Sequence, residues 1–359
     1  MPGIEELAAA VQRNCDLADA VHAQDLSLCT YLLQMREFFR WERDLPLDLA
    51  PDRGEVGRWI AMREAHWEAL AEQADAAFAA LPIGEGVDAF DEAAVNERLG
   101  SLGFVYAAGL ARFRRPEFVL AERVQSQARE GATVIVTGRE PARGLNPPMA
   151  TSRGDQVLVR RDVLRRWLGT RLELSRQRPS AEGLCAAVDA WRVDDDREAA
   201  LERITAAETE TLILHELGER RAAALLGAQW EEMLAALDDH RSEIVARAIR
   251  DLLADCESTL PTLLERDERA SIHFWFANLE GMRGLLAPDL RAGYLRWRGA
   301  GPGAQGASSA LADAISAQRE HWLAQARRML DAWREGATAG AVAFSEALVD
   351  AARGESPPG

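Results

Sequence analysis

The chain has 359 residues, 58 acidic against 42 basic, for a formal charge of -16. All 42 basic residues are arginine, which excludes Schiff-base, pyridoxal phosphate and P-loop NTPase mechanisms, since each needs a lysine. The acidic balance argues against nonspecific binding of nucleic acid or of an anionic membrane.

Hydrophobic residues make up 48% and charged residues 28%, the balance of a helix-rich globular protein with room for two or three domains. No apolar run reaches the length of a membrane span. The N-terminus carries Glu5 and Glu6 where a secretory leader carries base, so a cytoplasmic location is expected. Cys15, Cys29, Cys185 and Cys256 are scattered and suggest neither a zinc ribbon nor a disulfide framework.

Helices are expected over most of the first 80 residues. Asp25 or Ser27 can start a second helix, and Asp52 with Glu55 resembles a capping box. The texture changes from residue 100 to 160. Phe104-Val105-Tyr106, Phe118-Val119-Leu120, Thr133-Val134-Ile135-Val136 and Gln156-Val157-Leu158-Val159 read as three to five short strands between glycine and proline turns. A helix from about Asp162 to Arg176 follows. Helical patterning then resumes, with a capping box at Thr205 to Glu208, a stop at Gly227, and further helices over 229–237, 241–265, 271–286 and 310–350. Gly299 to Gly306 reads as a flexible linker. The expected architecture is α+β and predominantly helical, with a small antiparallel β-sheet between two helical regions. The boundaries are 1–85, 86–178 and 179–353, followed by a disordered tail over 354–359.

Residues 211 to 219, Thr-Leu-Ile-Leu-His-Glu-Leu-Gly-Glu, carry the best clue to chemistry. Helical spacing puts His215 and Glu219 on one leucine-bearing stripe, where a polar pair needs a partner. The pattern is similar to the zincin HExxH helix with glutamate in place of the second histidine, which leaves Glu216 as the general base. His273, in an aromatic run, is the expected third ligand. Asp255, one turn from Asp251, and His22, at heptad spacing from Cys15 and Cys29, are reserves; arginine pairing by Arg247 or Arg250 is the competing explanation for the two aspartates. Zinc in such a site implies hydrolysis and iron implies oxidation. Residues 112 to 178 hold fifteen arginines against seven acids. Arg139, Arg143 and Arg153 could therefore converge on a small anionic ligand.

Asn14-Cys15-Asp16, Cys29-Thr30-Tyr31-Leu32, Met35-Arg36-Glu37, Ile213-Leu214-His215-Glu216, His273-Phe274 and Asn278 together resemble an uncharacterised family of bacterial proteins of unknown function. The resemblance spans most of the chain and implies no activity. On the residues alone, the expected function is a metal-dependent hydrolase or oxidase using zinc or iron. The alternative is a non-enzymatic interaction or ligand-binding protein with an arginine-rich, anion-binding sheet.

Overall fold

Side-chain caps set the helix starts along the chain. Ser27, Asp52, Asp91, Asp196 and Asp239 each accept a hydrogen bond from the backbone N–H three residues on, satisfying a donor the helix itself leaves unpaired. The computed structural model describes residues 3–47, 49–72, 77–110, 115–177, 182–191, 196–300 and 306–354, without the side chains of 174–177, 182 and 307. Most of the expected 299–306 linker and nearly all of the 354–359 tail lie outside the described residues.

The chain divides into two compact units. The first comprises residues 1–129, 133–149 and 158–169. It holds α1 (Ile4–His22), α2 (Leu28–Glu42), α3 (Arg53–Ala71), α4 (Glu92–Leu99), β1 (Phe104–Leu110), β2 (Pro116–Arg129), most of β3 (Ala132–Thr137), β4 (Ala142–Arg143), the end of β6 (Gln156–Arg160), and the start of α5 (Arg161–Gln177). The N-terminal helices and the strand region thus share one unit. Leu7, Val11 and Cys15 of α1 pack with Tyr106, Phe118 and Leu120 of the sheet. A second cluster gathers Phe38, Phe39, Trp59 and Trp67 from α2 and α3.

The strand order is β1-β2-β3-β6-β5, with β4 also on β2, and β5 spans Ala150–Arg153. The sheet is mixed in direction, which corrects the expected antiparallel arrangement. After β3 the chain forms β4 and β5 before β6 settles beside β3, a crossover that local turn signals do not reveal. The Thr137 hydroxyl reaches the Val159 carbonyl at 3.5 Å, so the C-terminal ends of β3 and β6 lie together.

β1 is an outer strand of the sheet. The Asn96 amide on α4 both donates to the Tyr106 carbonyl at 2.7 Å and accepts from the Tyr106 N–H at 2.8 Å. Glu92 accepts from the Ala108 N–H. Side chains here replace a neighbouring strand.

The second unit comprises residues 130–132, 150–157 and 170–359. Its helices are the end of α5, α6 (Glu182–Trp191), α7 (Arg197–Leu226), α8 (Ala228–Ala236), α9 (His240–Ala254), α10 (Leu260–Glu265), α11 (Arg269–Ala277), α12 (Gly281–Leu286), α13 (Pro288–Ala300) and α14 (Ala307–Arg353). One core joins α7 through α14, including Leu214, Trp230, Ile249, Phe276, Trp297 and Trp322. α14 is broken at Ala337, whose φ of 48° is left-handed. No helix among the described residues is long and apolar enough to cross a membrane.

Candidate metal centre

The 30-residue α7 starts at the Asp196 cap, nine residues before the expected Thr205. Thr205 lies inside the helix, and its hydroxyl donates back to the Leu201 carbonyl at 2.6 Å. That bond satisfies the side chain without ending the helix, which is why the capping-box pattern misleads there. Gly227 closes the helix with φ 77°.

α9 approaches α7 closely at Gly218. A Cβ on that residue would lie 2.9 Å from the Ala254 carbonyl carbon and 3.1 Å from the Ser258 Cβ. At this contact α9 gives way to a π-helical turn, Asp255–Thr259. Such a widened turn re-aims side chains that a regular helix would point elsewhere. Asp255, its first residue, is 1% exposed and meets the imidazole of His215.

The geometry is that of a histidine held from behind. His215 Nδ1 lies 2.8 Å from Asp255 Oδ1, and Nε2 lies 3.5 Å from Glu219 Oε1. Arg283 donates to the other Asp255 oxygen at 3.1 Å. A carboxylate on Nδ1 fixes the ring and leaves Nε2 facing Glu219. One oxygen each from Glu219 and Asp251 and one nitrogen of His215 all lie within 4.8 Å of one another.

Burial would depress the imidazole, but Asp255 and Glu219 hold His215 well above its ordinary range. For Glu219 burial acts upward and is overcome by the hydrogen bond from His215 and by Arg250, leaving the carboxyl low. Asp255 is likewise held low, burial being outweighed by His215 and Arg283. Glu216 behaves oppositely: burial, reinforced by Glu219, pushes it up to about 7. Its Oε2 is buried with no hydrogen-bond partner among the described residues.

The other residues singled out in the sequence lie apart from this group. Burial, with Arg269 and Arg298 nearby, lowers His273 to about 4. Its Nδ1 hydrogen-bonds the Tyr294 hydroxyl at 2.9 Å and its ring lies against Trp297. A tyrosine on α13, outside the aromatic run, thus supplies the polar partner for His273. His22, in the first unit, pairs with Asp25 at 3.1 Å. The heptad through Cys15 and Cys29 is interrupted where α1 ends, and the Cys15 thiol donates to the Phe118 carbonyl as a packed core group. Arg143 is 3% exposed, 4.0 Å from Glu140, with its guanidinium over Trp41 and Phe38. It faces inward. Arg139 belongs to the first unit and Arg153 to the second. Asp251, for which arginine pairing competed with a site role in the sequence, stands in the group and also lies 3.8 Å from Arg250. Its one-turn spacing from Asp255 was the available signal.

A further carboxyl on α7, Glu208, is buried. Burial, reinforced by Glu268, pushes it up to about 8 against the opposing effect of the nearby Ser271 and Thr211 hydroxyls. A raised carboxyl contributes stability below its unfolded value of 4.5 and loses it as pH rises through about 8. Glu208→Gln, isosteric and uncharged, is expected to stabilise the protein at pH 8.5 by on the order of 2 kcal/mol and to change little at pH 4.5. Denaturant unfolding at the two pH values checks this; equal effects at both would refute the assignment.

The fold and this cluster define an α+β protein of two units, whose helical second unit holds an interior His–carboxylate group. Its sequence places it further: residues 6–160 match the N-terminal domain, and residues 165–351 the C-terminal domain, of the family of unknown function DUF6866. The chain belongs to that family. No curated protein and no solved structure matches it.

Proposed function

We propose that the protein is a metal-dependent enzyme whose metal, zinc or iron, is held by His215, Glu219 and Asp251. The observation that carries the reading is the convergence of one imidazole nitrogen and two carboxylate oxygens within 4.8 Å, with Asp255 bonded behind the ring. Imidazole with carboxylates suits zinc or iron, and a carboxylate on the far ring nitrogen is the usual support of a ligating histidine. The orphaned buried oxygen of Glu216 is a second sign that the group's partners are incomplete.

When bound, zinc would supply Lewis-acid chemistry for hydrolysis and iron would supply redox chemistry. The chain's own contribution is clearest at Glu216. A carboxyl near 7 takes up or releases a proton at neutral pH, as a general base or acid must. His215 is oriented by Asp255, and Arg283 holds Asp255 in turn.

Elemental analysis of tag-free protein prepared without chelator, beside His215→Ala made identically, tests the proposal. Near-stoichiometric zinc or iron in the native protein is expected, with loss of more than nine-tenths of it in the variant. No metal in either protein, with both folded, would refute it.

A further inference from the structure

The two carboxylates that would take a metal already share a cation. Arg250 Nη2 lies 3.0 Å from Glu219 Oε1 and 3.8 Å from Asp251 Oδ1, so one guanidinium nitrogen straddles both. Arg250 directly precedes Asp251 on α9 and its side chain is 14% exposed. Its other terminal nitrogen, Nη1, is 3.8 Å from Glu231 Oε1 on α8, a carboxylate 58% exposed. Arg250 therefore has one close partner, Glu219, and two at 3.8 Å, the buried Asp251 and the exposed Glu231. A divalent ion held by Glu219 and Asp251 would sit beside the guanidinium, and neighbouring cations repel. Arg250 must leave for the ion to enter, and Glu231 is the carboxylate toward which it already points.

We propose that Arg250 is a displaceable counter-cation that sets an occupancy threshold for the site, and that Glu231 receives it when a metal binds. This rests on the metal reading above. The threshold penalises every divalent cation equally. Magnesium and calcium, bound mainly through oxygen, gain little to offset it. Zinc and iron gain the His215 nitrogen as well. The arginine thus keeps abundant hard cations out without needing a site that recognises them.

Calorimetric titration with zinc chloride and with magnesium chloride, on the native protein, Arg250→Gln, Glu231→Gln and His215→Ala, tests the proposal. Arg250→Gln is expected to bind zinc and magnesium each about tenfold more tightly than the native protein. Glu231→Gln is expected to weaken zinc about two- to threefold, because the displaced guanidinium loses its exposed partner. If native protein binds zinc, His215→Ala does not, and Arg250→Gln binds no tighter, the threshold is wrong and the site stands. If neither the native protein nor Arg250→Gln takes up zinc, the site reading fails and the threshold falls with it. Should Arg250→Gln not fold without metal, Glu231→Gln decides: weaker zinc binding supports the hand-over, and an unchanged dissociation constant overturns it.

Discussion

Gly218→Ala is expected to destabilise the protein by about 3 kcal/mol, as overpacking does in a filled interior, and to loosen the His215–Asp255 hydrogen bond. The direction makes the result informative. In an ordinary helix interior the same change stabilises by roughly 1 kcal/mol, because alanine is the better helix former. Here the added methyl would meet the backbone of Ala254, which cannot rotate aside as a flexible side chain could. α7 and α9 must part, and the π turn that presents Asp255 moves with them. Urea denaturation measures the stability, and the imidazole nitrogen chemical shifts of His215 report the hydrogen bond. A variant as stable as the native protein, with those shifts unchanged, would show that the close approach constrains nothing.

Asp255→Ala is expected to cost more, in the range of about 3 to 5 kcal/mol, because it strands buried charge. The Asp255 carboxylate is 1% exposed and joins His215 at 2.8 Å to Arg283 at 3.1 Å. Removing it leaves an imidazolium facing Glu219 alone and a guanidinium without its interior acceptor. Asp255→Asn preserves shape and loses charge, so it should fall between the native protein and the alanine variant. Chemical denaturation at neutral pH ranks the three. A loss below 1 kcal/mol for the alanine variant would mean that water compensates the pair and that Asp255 does not hold the ring.

The helical part of the centre was legible because it depends on period alone. His215 and Glu219 share a stripe in any α-helix. Arg250 and Asp251 were harder, since each had a plausible partner on its own helix. Arg247 does take such a partner, Glu243, one turn away. Arg250 instead reaches across to α7, which depends on how the two helices are set against each other and not on spacing within either. His273 shows the converse. Its aromatic surroundings signalled burial correctly, but its hydrogen-bond partner is Tyr294, twenty-one residues on. The strands were readable from β-branched runs, whereas the crossover between β3 and β6 is a long-range pairing that neither run specifies. α7 starts about two turns upstream of the expected Thr205, because Asp196 caps it there.

The amide of Asn96 has a consequence for how the molecule behaves in a crowd. Because that side chain pairs both backbone groups of Tyr106, and Glu92 takes the next donor at Ala108, the outer strand offers an incoming peptide no free template there. Any chain adding to this rim must first break those bonds and move α4. The middle of β1 is thereby closed to growth, a local guard against templated fibril formation at that rim.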